Sequence, residues 1–257
     1  MRRSFDDLVD EAAAADVDGW DFSWLNGRAT EERPSWGYAK MMAKRMAAAT
    51  AALDIQTGGG EVLASVSKFP ALTVATESWP PNVARATRRL HPLGIAVVAH
   101  DDAEPLPFAE DGFDLVVSRH PVDVAWQEVA RVLRPGGRYF SQQVGPRSVG
   151  ELTEFLMGPQ PGGDSEREPG VAMVAAQAAG LTVTDLRAES LRTEFFDVGA
   201  VIYFLRKVIW IVPGFTVDSY RIKLRSLHDQ IAERGPFVAT TRRFLIEAVK
   251  PQVSIRG

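Results

Sequence analysis

The chain of 257 residues contains no cysteine. This absence excludes disulfide bonds, thiolate metal sites, iron–sulfur clusters and every mechanism that needs a cysteine nucleophile, including the covalent route to C5-methylated pyrimidines. Histidine is also scarce, with four in the whole chain, and the spacing of His91, His100 and His228 is not typical of a metal site. We therefore expect thiol-free chemistry and no bound metal.

Long hydrophobic runs are missing as well. The most apolar stretch, residues 198–215, is interrupted by Arg206-Lys207 and by Pro213, which a membrane-spanning helix tolerates poorly at its centre. The basic residues near the N-terminus are followed by acidic ones, and no apolar segment precedes Trp20, so we expect no signal peptide. The prediction is a cytoplasmic protein without a membrane span.

Acidic and basic residues are unevenly distributed along the chain. Residues 1–200 hold 19 Lys and Arg against 29 Asp and Glu, whereas residues 201–257 hold 10 against 4. A basic segment can mark a nucleic-acid surface, but here no aromatic residues alternate with the basic ones, as binding of a single strand would require. Nucleic acid is therefore not the expected partner, and RNA binding by the basic segment stays an alternative.

Short apolar runs alternate with helix-like segments, and this order predicts an α/β three-layer fold with a parallel sheet. The predicted strands are 51–55, 72–75, 95–98, 113–117, 138–144, 181–186 and 238–249. The predicted helices between them are 61–69, 82–90, 121–133 and 171–179. Pro135-Gly136-Gly137 is predicted to end the third of these helices. No internal repeat is visible, so we expect a single domain over residues 1–257.

Two regions lie outside this alternation. Residues 1–50 predict a helical N-terminal cap, with helices at 5–15 and 36–50 around an aromatic loop, ahead of a core at 51–192. Residues 193–234 predict a helical insertion before the final strand and tail at 235–257, with apolar stripes along 201–208 and 217–231. We expect both regions to cover a crevice at the strand ends, although a homodimer interface could also bury the stripes.

Acidic residues follow three successive predicted strands. Strand one leads into Asp54 and the glycine-rich turn of 56–60, Glu77 ends strand two, and Asp102 follows strand three. In nucleotide-binding α/β folds a glycine turn lets backbone approach the ligand, and a carboxylate at the end of the next strand accepts the ribose hydroxyls. Together these positions predict an adenosine site.

These motifs resemble the class I S-adenosylmethionine-dependent methyltransferases, and within them the type 11 branch that includes quinone-biosynthesis C-methyltransferases. The resemblance covers roughly residues 50–145 and rests on LDIQTGGGE (53–61), VATES (74–78), DDAEPLPF (101–108), FDLVVSRH (113–120) and EVARVLRPGGRY (128–139). It implies a Rossmann-like, seven-stranded mixed sheet of order 3-2-1-4-5-7-6 with the last strand antiparallel. It also implies a transferase that uses S-adenosyl-L-methionine, here with a small-molecule acceptor.

The resemblance also implies a set of cofactor-binding residues. In the family, residues at the glycine turn surround the methionine moiety, and a carboxylate binds the ribose. Further residues flank the adenine. In this sequence they are Asp54, Gly58 and Gly60, then Glu77, then Ser78, Trp79, Asp102 and the backbone of Ala103. Gln56 and Ser118 complete the predicted set.

One position departs from the family pattern D-x-G-x-G-x-G, because Gln56 stands at its first glycine. Its side chain could hydrogen-bond the methionine end of the cofactor or crowd it. The second alternative leaves open a non-catalytic, cofactor-binding regulator. A dinucleotide fold is disfavoured, because Leu63 stands where G-x-G-x-x-G requires a small residue. The segment 118–121 likewise lacks the Asp/Asn-Pro-Pro-aromatic motif of nucleobase amino-methyltransferases.

His120 is the predicted catalytic residue, because it follows strand four at the crevice and imidazole titrates near neutral pH. Two alternatives remain: a histidine bonded only to backbone at the start of a helix, or no catalytic base at all, because methyl transfer can proceed by positioning and desolvation. The remaining predicted site residues would contact the acceptor, either as an aromatic wall or through polar groups. They are Trp24, Trp36, Tyr38, Arg119, Gln143 and Phe204.

Overall fold

The computed structural model describes residues 3–160 and 165–252. They form two compact units. The first unit comprises the described residues within Met1–Arg33, Pro146–Ser165 and Ser190–Arg242, and the second those within Pro34–Gly145, Glu166–Glu189 and Arg243–Gly257. Residues 1–2 of the predicted cap and 253–257 of the predicted tail lie outside the described residues. The division into cap, core, insertion and tail stays a prediction.

Helices and strands alternate along most of the described chain. The strands are β1 (Ala29–Glu31), β2 (Ala51–Asp54), β3 (Leu72–Glu77), β4 (Ala96–Ala99), β5 (Phe113–Arg119), β6 (Leu133–Val144), β7 (Thr182–Phe195) and β8 (Phe237–Val249). The α-helices are α1 (Phe5–Ala14), α2 (Tyr38–Ala48), α3 (Glu61–Ala64), α4 (Pro80–Leu90), α5 (Trp126–Val132), α6 (Gly150–Met157), α7 (Pro169–Ala178), α8 (Val198–Lys207) and α9 (Val217–Arg234).

The described strands form one mixed sheet of order β1-β7-β8-β6-β5-β2-β3-β4. Strands β2 to β6 pair in parallel, and β8 runs antiparallel to β6. The prediction of seven strands is wrong, and the order differs accordingly, because β1 adds an eighth strand beside β7. This strand lies in the predicted aromatic loop and pairs antiparallel with residues 193–195. Such a long-range pairing leaves little local signal in the sequence.

Several predicted boundaries are also wrong. The helix predicted over 61–69 ends at Ala64, where the backbone nitrogen of the following Ser65 donates to Val62 O. The helix predicted from residue 121 begins at Trp126. Strand β6 already includes the glycines predicted to end that helix, because Gly136 donates to Lys250 O (2.7 Å) and Gly137 O accepts from Lys250 N (2.9 Å).

The sheet of the second unit carries helices on both faces, which gives the predicted three layers. On one face α2 and α4 bury Met42, Met46 and Leu90 against Phe140. The other face packs α5 and α7 against Tyr139. Because β2, β3, β4, β5 and β6 are parallel, their carboxyl ends lie at one edge, where α/β folds bind ligands.

The first unit has its own apolar core, built from α1, α6, α8 and α9. Leu205 of α8 and Leu224 of α9 are fully buried in it, so the two predicted apolar stripes obtain burial within this unit. The buried guanidinium of Arg28 pairs with Asp197, which also caps α8. In the described part of the chain no helix combines the length and the apolar character that crossing a membrane requires.

Candidate cofactor and acceptor site

The turn after β2 bends through three residues in the left-handed region of backbone space. Gln56, Gly58 and Gly60 have φ angles of 56°, 64° and 77°. Glycine adopts this region without strain. A Cβ at Gly60 would lie 2.9 Å from Cγ of Leu90 in α4. Gly60, just before α3, therefore leaves no room for a side chain beside Leu90 of α4.

Glu77 is the last residue of β3, and the residue is only 7% exposed. One oxygen accepts from the backbone nitrogen of Gly58 (2.7 Å) and the other from that of Trp79 (3.0 Å). Burial raises the pKa of Glu77, while these two backbone hydrogen bonds act in the opposite direction. Each carboxylate oxygen has a second lone pair, so the group can still accept hydrogen bonds from a ligand.

Asp54, at the end of the neighbouring strand β2, is a second buried carboxylate. It accepts a hydrogen bond from the hydroxyl of Thr57 (2.7 Å). Burial raises the pKa of Asp54 to about 7, and the nearby charge of Glu77 acts in the same direction, whereas the Thr57 hydroxyl lowers it. Two adjacent carboxylates that are costly to ionise favour a cationic ligand between or beside them.

The residues predicted at the adenine come together at the next strand ends. The hydroxyl of Ser78 donates to Asp102 (2.9 Å), so the segments after β3 and β4 are joined. Trp79 is 47% exposed, which leaves its ring available for stacking. The backbone N–H of Ala103, which is predicted to bind the edge of the adenine, donates to the carboxylate of Asp101 (3.0 Å).

The side chain of Gln56 has partners within the protein. Its amide oxygen accepts from the backbone nitrogen of Val122 (2.7 Å), and its amide nitrogen donates to the carbonyl of Asp123 (3.1 Å). The residue that replaces the first glycine of the pattern thus ties the turn to the loop before α5. Both hydrogen-bonding ends of the amide are used there, whereas the prediction directed them at the cofactor.

Ser118 lies in a buried polar cluster between β5 and β6. Its hydroxyl contacts the hydroxyls of Tyr139 (2.7 Å) and Ser141 (3.0 Å), and its carbonyl accepts from the hydroxyl of Tyr38 (2.9 Å). The ring of Tyr38 stacks on Phe140 at 5.1 Å. Burial raises the pKa of Tyr139 to about 12 and that of Tyr38 well above its usual value, so both phenols stay protonated.

His120 follows β5 with a φ of 55°, and its backbone nitrogen donates to the carbonyl of Gln142 (2.7 Å). Its ring nitrogen Nε2 lies 2.9 Å from the amide nitrogen of Gln142. The amide oxygen of Gln142 in turn accepts from the indole nitrogen of Trp36 (2.8 Å). Burial, together with the positive charges of Arg119 and Arg243, lowers the pKa of His120 well below its usual range.

The structure thus brings Gln142, and not the predicted Gln143, into contact with His120 and Trp36. The register pairs Gln142 with Arg119, the residue before His120. Adjacent strand residues face opposite sides of a sheet, so Gln143 shares the face of Tyr139 and Ser141. The adjacent positions of Gln142 and Gln143 predict that only one of the two amides reaches the site. Which one does so depends on the register of β6 against β5, and the local sequence does not indicate that register.

Two further predicted acceptor residues, Trp24 and Phe204, belong to the first unit. The ring of Trp24 stacks on Tyr203 at 4.6 Å, with the guanidinium of Arg28 3.8 Å from its centre. Phe204 packs on Phe195 at 5.4 Å. These contacts explain the partial burial of both rings, and the role of the two residues toward an acceptor stays a prediction.

The cofactor-site segment also matches a known family. Residues 53–141 fit the family model described as a methyltransferase domain. The matched segment runs from β2 through most of β6 and thus contains Asp54, Glu77 and His120.

Curated relatives support this assignment over parts of their length. An uncharacterized protein from Mycobacterium tuberculosis is 33% identical over 92 residues, which are 33% of this chain and 34% of that protein. The demethylmenaquinone methyltransferase of Chlorobaculum parvum is 33% identical over 37% of this chain and 42% of its own. The 27-O-demethylrifamycin SV methyltransferase of Amycolatopsis mediterranei is 29% identical over 78% of this chain and 73% of its own. The chain thus matches about a third of the length of the first of these relatives.

Solved structures share the fold. The YcgJ protein from Bacillus subtilis has a TM-score of 0.59 at 21% identity, covering 84% of this chain and 98% of that one. A phosphoethanolamine N-methyltransferase of Haemonchus contortus, solved with S-adenosylhomocysteine, has a TM-score of 0.55 at 19% identity, covering 98% and 61%. The similarity supports a Rossmann-like methyltransferase fold for this chain.

Proposed function

We propose that the protein transfers a methyl group from S-adenosyl-L-methionine to a small-molecule acceptor. The observation that carries this proposal is the carboxylate of Glu77, buried at the end of β3 and held by the N–H groups of Gly58 and Trp79. A carboxylate in this position, directly beside a glycine turn, fits the two vicinal hydroxyls of a ribose.

The other residues of the site fit the rest of the cofactor. S-adenosylmethionine carries a positively charged sulfonium that supplies the methyl group, and its methionine end carries an amino group. Asp54 and Glu77 place negative charge beside the glycine turn, which favours such a cation over a neutral nucleoside. The exposed ring of Trp79 and the joined pair Ser78–Asp102 lie at the next strand ends, where an adenine could stack and donate its amino group.

The acceptor is proposed to be a small molecule, as the names of two relatives indicate for those proteins. Demethylmenaquinone and 27-O-demethylrifamycin SV are the acceptors that these names give. In this chain the end of β5 contributes Arg119 and His120, and β6 contributes Gln142. Trp36, just before α2, donates to Gln142, and Tyr38, at the start of α2, donates to Ser118 O. We place the acceptor at this end of the site.

Calorimetry with S-adenosylmethionine and S-adenosylhomocysteine tests the cofactor half of the proposal. Glu77→Ala should weaken both ligands by at least about tenfold, because each hydrogen bond to a charged group contributes about 1.5–3 kcal/mol. Glu110→Ala is the matched control, since Glu110 is exposed and precedes the opposite, amino-terminal end of β5. Absence of binding to the unmodified protein at millimolar ligand would refute the assignment, as would equal effects of both substitutions.

Transfer of a labelled methyl group to candidate acceptors tests the other half. We expect label in a small-molecule fraction and none in RNA that is incubated with the protein under the same conditions. Labelled RNA, with tight binding that weakens steeply as salt rises, would instead support the basic C-terminal segment as an RNA-binding surface. Cofactor binding without transfer to any acceptor would support a regulator.

A further inference from the structure

Three side chains of the second unit form a line of hydrogen bonds that ends at the acceptor side of the proposed site. The indole nitrogen of Trp36 lies 2.8 Å from Oε1 of Gln142, and Nε2 of Gln142 lies 2.9 Å from Nε2 of His120. Trp36 is 8% exposed and Gln142 is 4% exposed. Trp36 and Gln142 thus lie away from solvent, His120 is partly exposed, and the line has a fixed direction.

The direction follows from the chemistry of the groups. An indole N–H is only a donor, so the atom of Gln142 that faces Trp36 must be its oxygen. The amide NH₂ of Gln142 then faces His120 and donates to Nε2. Because Nε2 accepts, the proton of the neutral imidazole must be on Nδ1. The opposite amide orientation would place two donors against each other at Trp36.

The same geometry disfavours the imidazolium form of His120. A proton on Nε2 would face the NH₂ of Gln142, and turning the amide would break the bond from Trp36. The charged groups around the ring, Arg119 at its side and Arg243 on β8, are both cationic and lower the pKa of His120 further, in addition to burial. His120 is therefore a neutral ring with a donor at Nδ1.

On the basis of the proposed function, we propose that Nδ1–H of His120 binds an ionised oxygen of the acceptor and that His120 is not a general base. The acceptor class is thus a small anion, such as a phenolate or an enolate. Gln142 and Trp36 are positioning residues that fix the tautomer. The positive charges of Arg119 and Arg243 make the same location favourable for an anion.

The transfer balances without a base in this arrangement. A lone pair of the ionised oxygen forms the new bond to the methyl carbon, and the sulfur keeps the electron pair of the bond that breaks. The sulfonium becomes a neutral thioether and the anion becomes a neutral ether. No proton leaves the acceptor, so no basic nitrogen needs to be open toward it.

Nitrogen-15 NMR of the histidine rings tests the tautomer in the full-length protein without cofactor. Comparison with His120→Gln assigns the signals of His120. We expect a protonated Nδ1 and an unprotonated Nε2 that do not change between roughly pH 5 and 8, where a free histidine titrates. A protonated Nε2, or titration near the usual pKa, would overturn the inference.

Substitution of Gln142 separates a positioning role from a merely structural one. In Gln142→Glu the carboxylate can accept from both Trp36 and His120, so the ring proton should move to Nε2 and Nδ1 should lose its donor. Trp36→Phe should give a mixture of tautomers, because it removes only the indole N–H. Gln177→Glu, the same exchange at an exposed position of α7, should change neither signal. Unchanged His120 signals in Gln142→Glu would contradict the proposed chain.

The acceptor class is tested with 4-nitrophenolate and its neutral methyl ether, 4-nitroanisole. The Nδ1 signal of His120 should shift with the anion only, and the response should fall at least tenfold in Gln142→Glu. An equal response to both probes, or no response to either, would overturn the anion assignment. Failure of cofactor binding in calorimetry would instead refute the proposed function, and the tautomer measurements do not depend on it.

Discussion

The carboxylate of Glu77 accepts a hydrogen bond of 2.7 Å from the backbone nitrogen of Gly58, nineteen residues earlier in the chain. This bond links the end of β3 to the glycine turn after β2, so the two halves of the proposed cofactor site have a fixed relation. Because these protein groups are already ordered, binding of a ligand does not have to include the free-energy cost of ordering them.

Asp54 should make cofactor binding depend on pH. Its pKa is raised to about 7, so much of it is protonated at pH 6, and a cationic ligand favours the ionised form. If only the ionised form binds, the affinity for S-adenosylmethionine should rise about tenfold from roughly pH 6 to 8. Calorimetry at both pH values, in buffers of different ionisation enthalpy, would also detect the proton that binding releases below pH 7.

Asp54→Asn is the control for this dependence. The variant should bind more weakly, with an affinity that no longer changes over this pH range and with no release of a proton. A pH dependence that persists in the variant would assign the titration to Glu77, whose pKa burial also raises.

The same substitution should affect stability in the opposite sense. Because the folded-state pKa of Asp54 is raised from 3.8 to about 7, the folded protein holds a proton that the unfolded chain releases, and stability falls as pH rises through this window. The free-energy cost of ionising the buried Asp54, up to about 4 kcal/mol, is fully present above pH 7. Asp54→Asn, which keeps an acceptor for Thr57, should therefore be more stable than the parent at pH 8 and similar near pH 4 in urea denaturation.

Local signals are sufficient to predict where several residues of the candidate site lie in the sheet. Asp54, Glu77 and Asp102 each follow a short apolar run, and the parallel sheet indeed brings the residues after β2, β3 and β4 to one edge. The glycine turn could be predicted for the same reason, since the left-handed backbone at Gly58 and Gly60 favours glycine.

Features that depend on distant pairing could not be predicted. Strand β1 forms only because residues 29–31 meet residues 193–195 of β7. The choice of Gln142 over Gln143 depends on the register of β6 against β5. The contacts of Gln56 are a third example, because nothing local indicates that its amide pairs with the backbone of Val122 and Asp123.

Gln56 should contribute to stability more than to cofactor affinity. Gln56→Ala removes two hydrogen bonds to the loop before α5 and should cost about 1–3 kcal/mol in the free energy of unfolding. Gln56→Gly removes the same bonds but relieves the left-handed backbone, so it should be more stable than Gln56→Ala by about 1 kcal/mol. Chemical denaturation measures both. A large loss of cofactor affinity in Gln56→Gly would contradict this role.

The pair of Arg28 and Asp197 should be important for the first unit. Two hydrogen bonds of 3.0 and 2.8 Å join the side chains, and Arg28 is 8% exposed. Arg28→Met removes this partner from Asp197, whose side chain is 15% exposed, and should destabilise the protein by about 3–5 kcal/mol. Arg192→Met, which removes an exposed partner of Glu194, should cost less than about 1 kcal/mol. Comparable losses in the two variants, measured by thermal unfolding, would count against a special role of the buried pair.

The predicted cover of the site can be tested at Phe204 without assuming how the two units meet. If the helices of the insertion help to select the acceptor, Phe204→Leu should reduce methyl transfer at least tenfold while the affinity for S-adenosylmethionine stays within a few-fold, because the cofactor residues all belong to the second unit. Leucine keeps most of the apolar volume beside Phe195 and so limits the loss of stability. Ile222→Leu, at an 88% exposed position of α9, is the control and should alter neither quantity. If Phe204→Leu leaves methyl transfer unchanged in a folded protein, Phe204 does not select the acceptor, and Trp36, Tyr38 and His120 of the second unit become the next candidates to test.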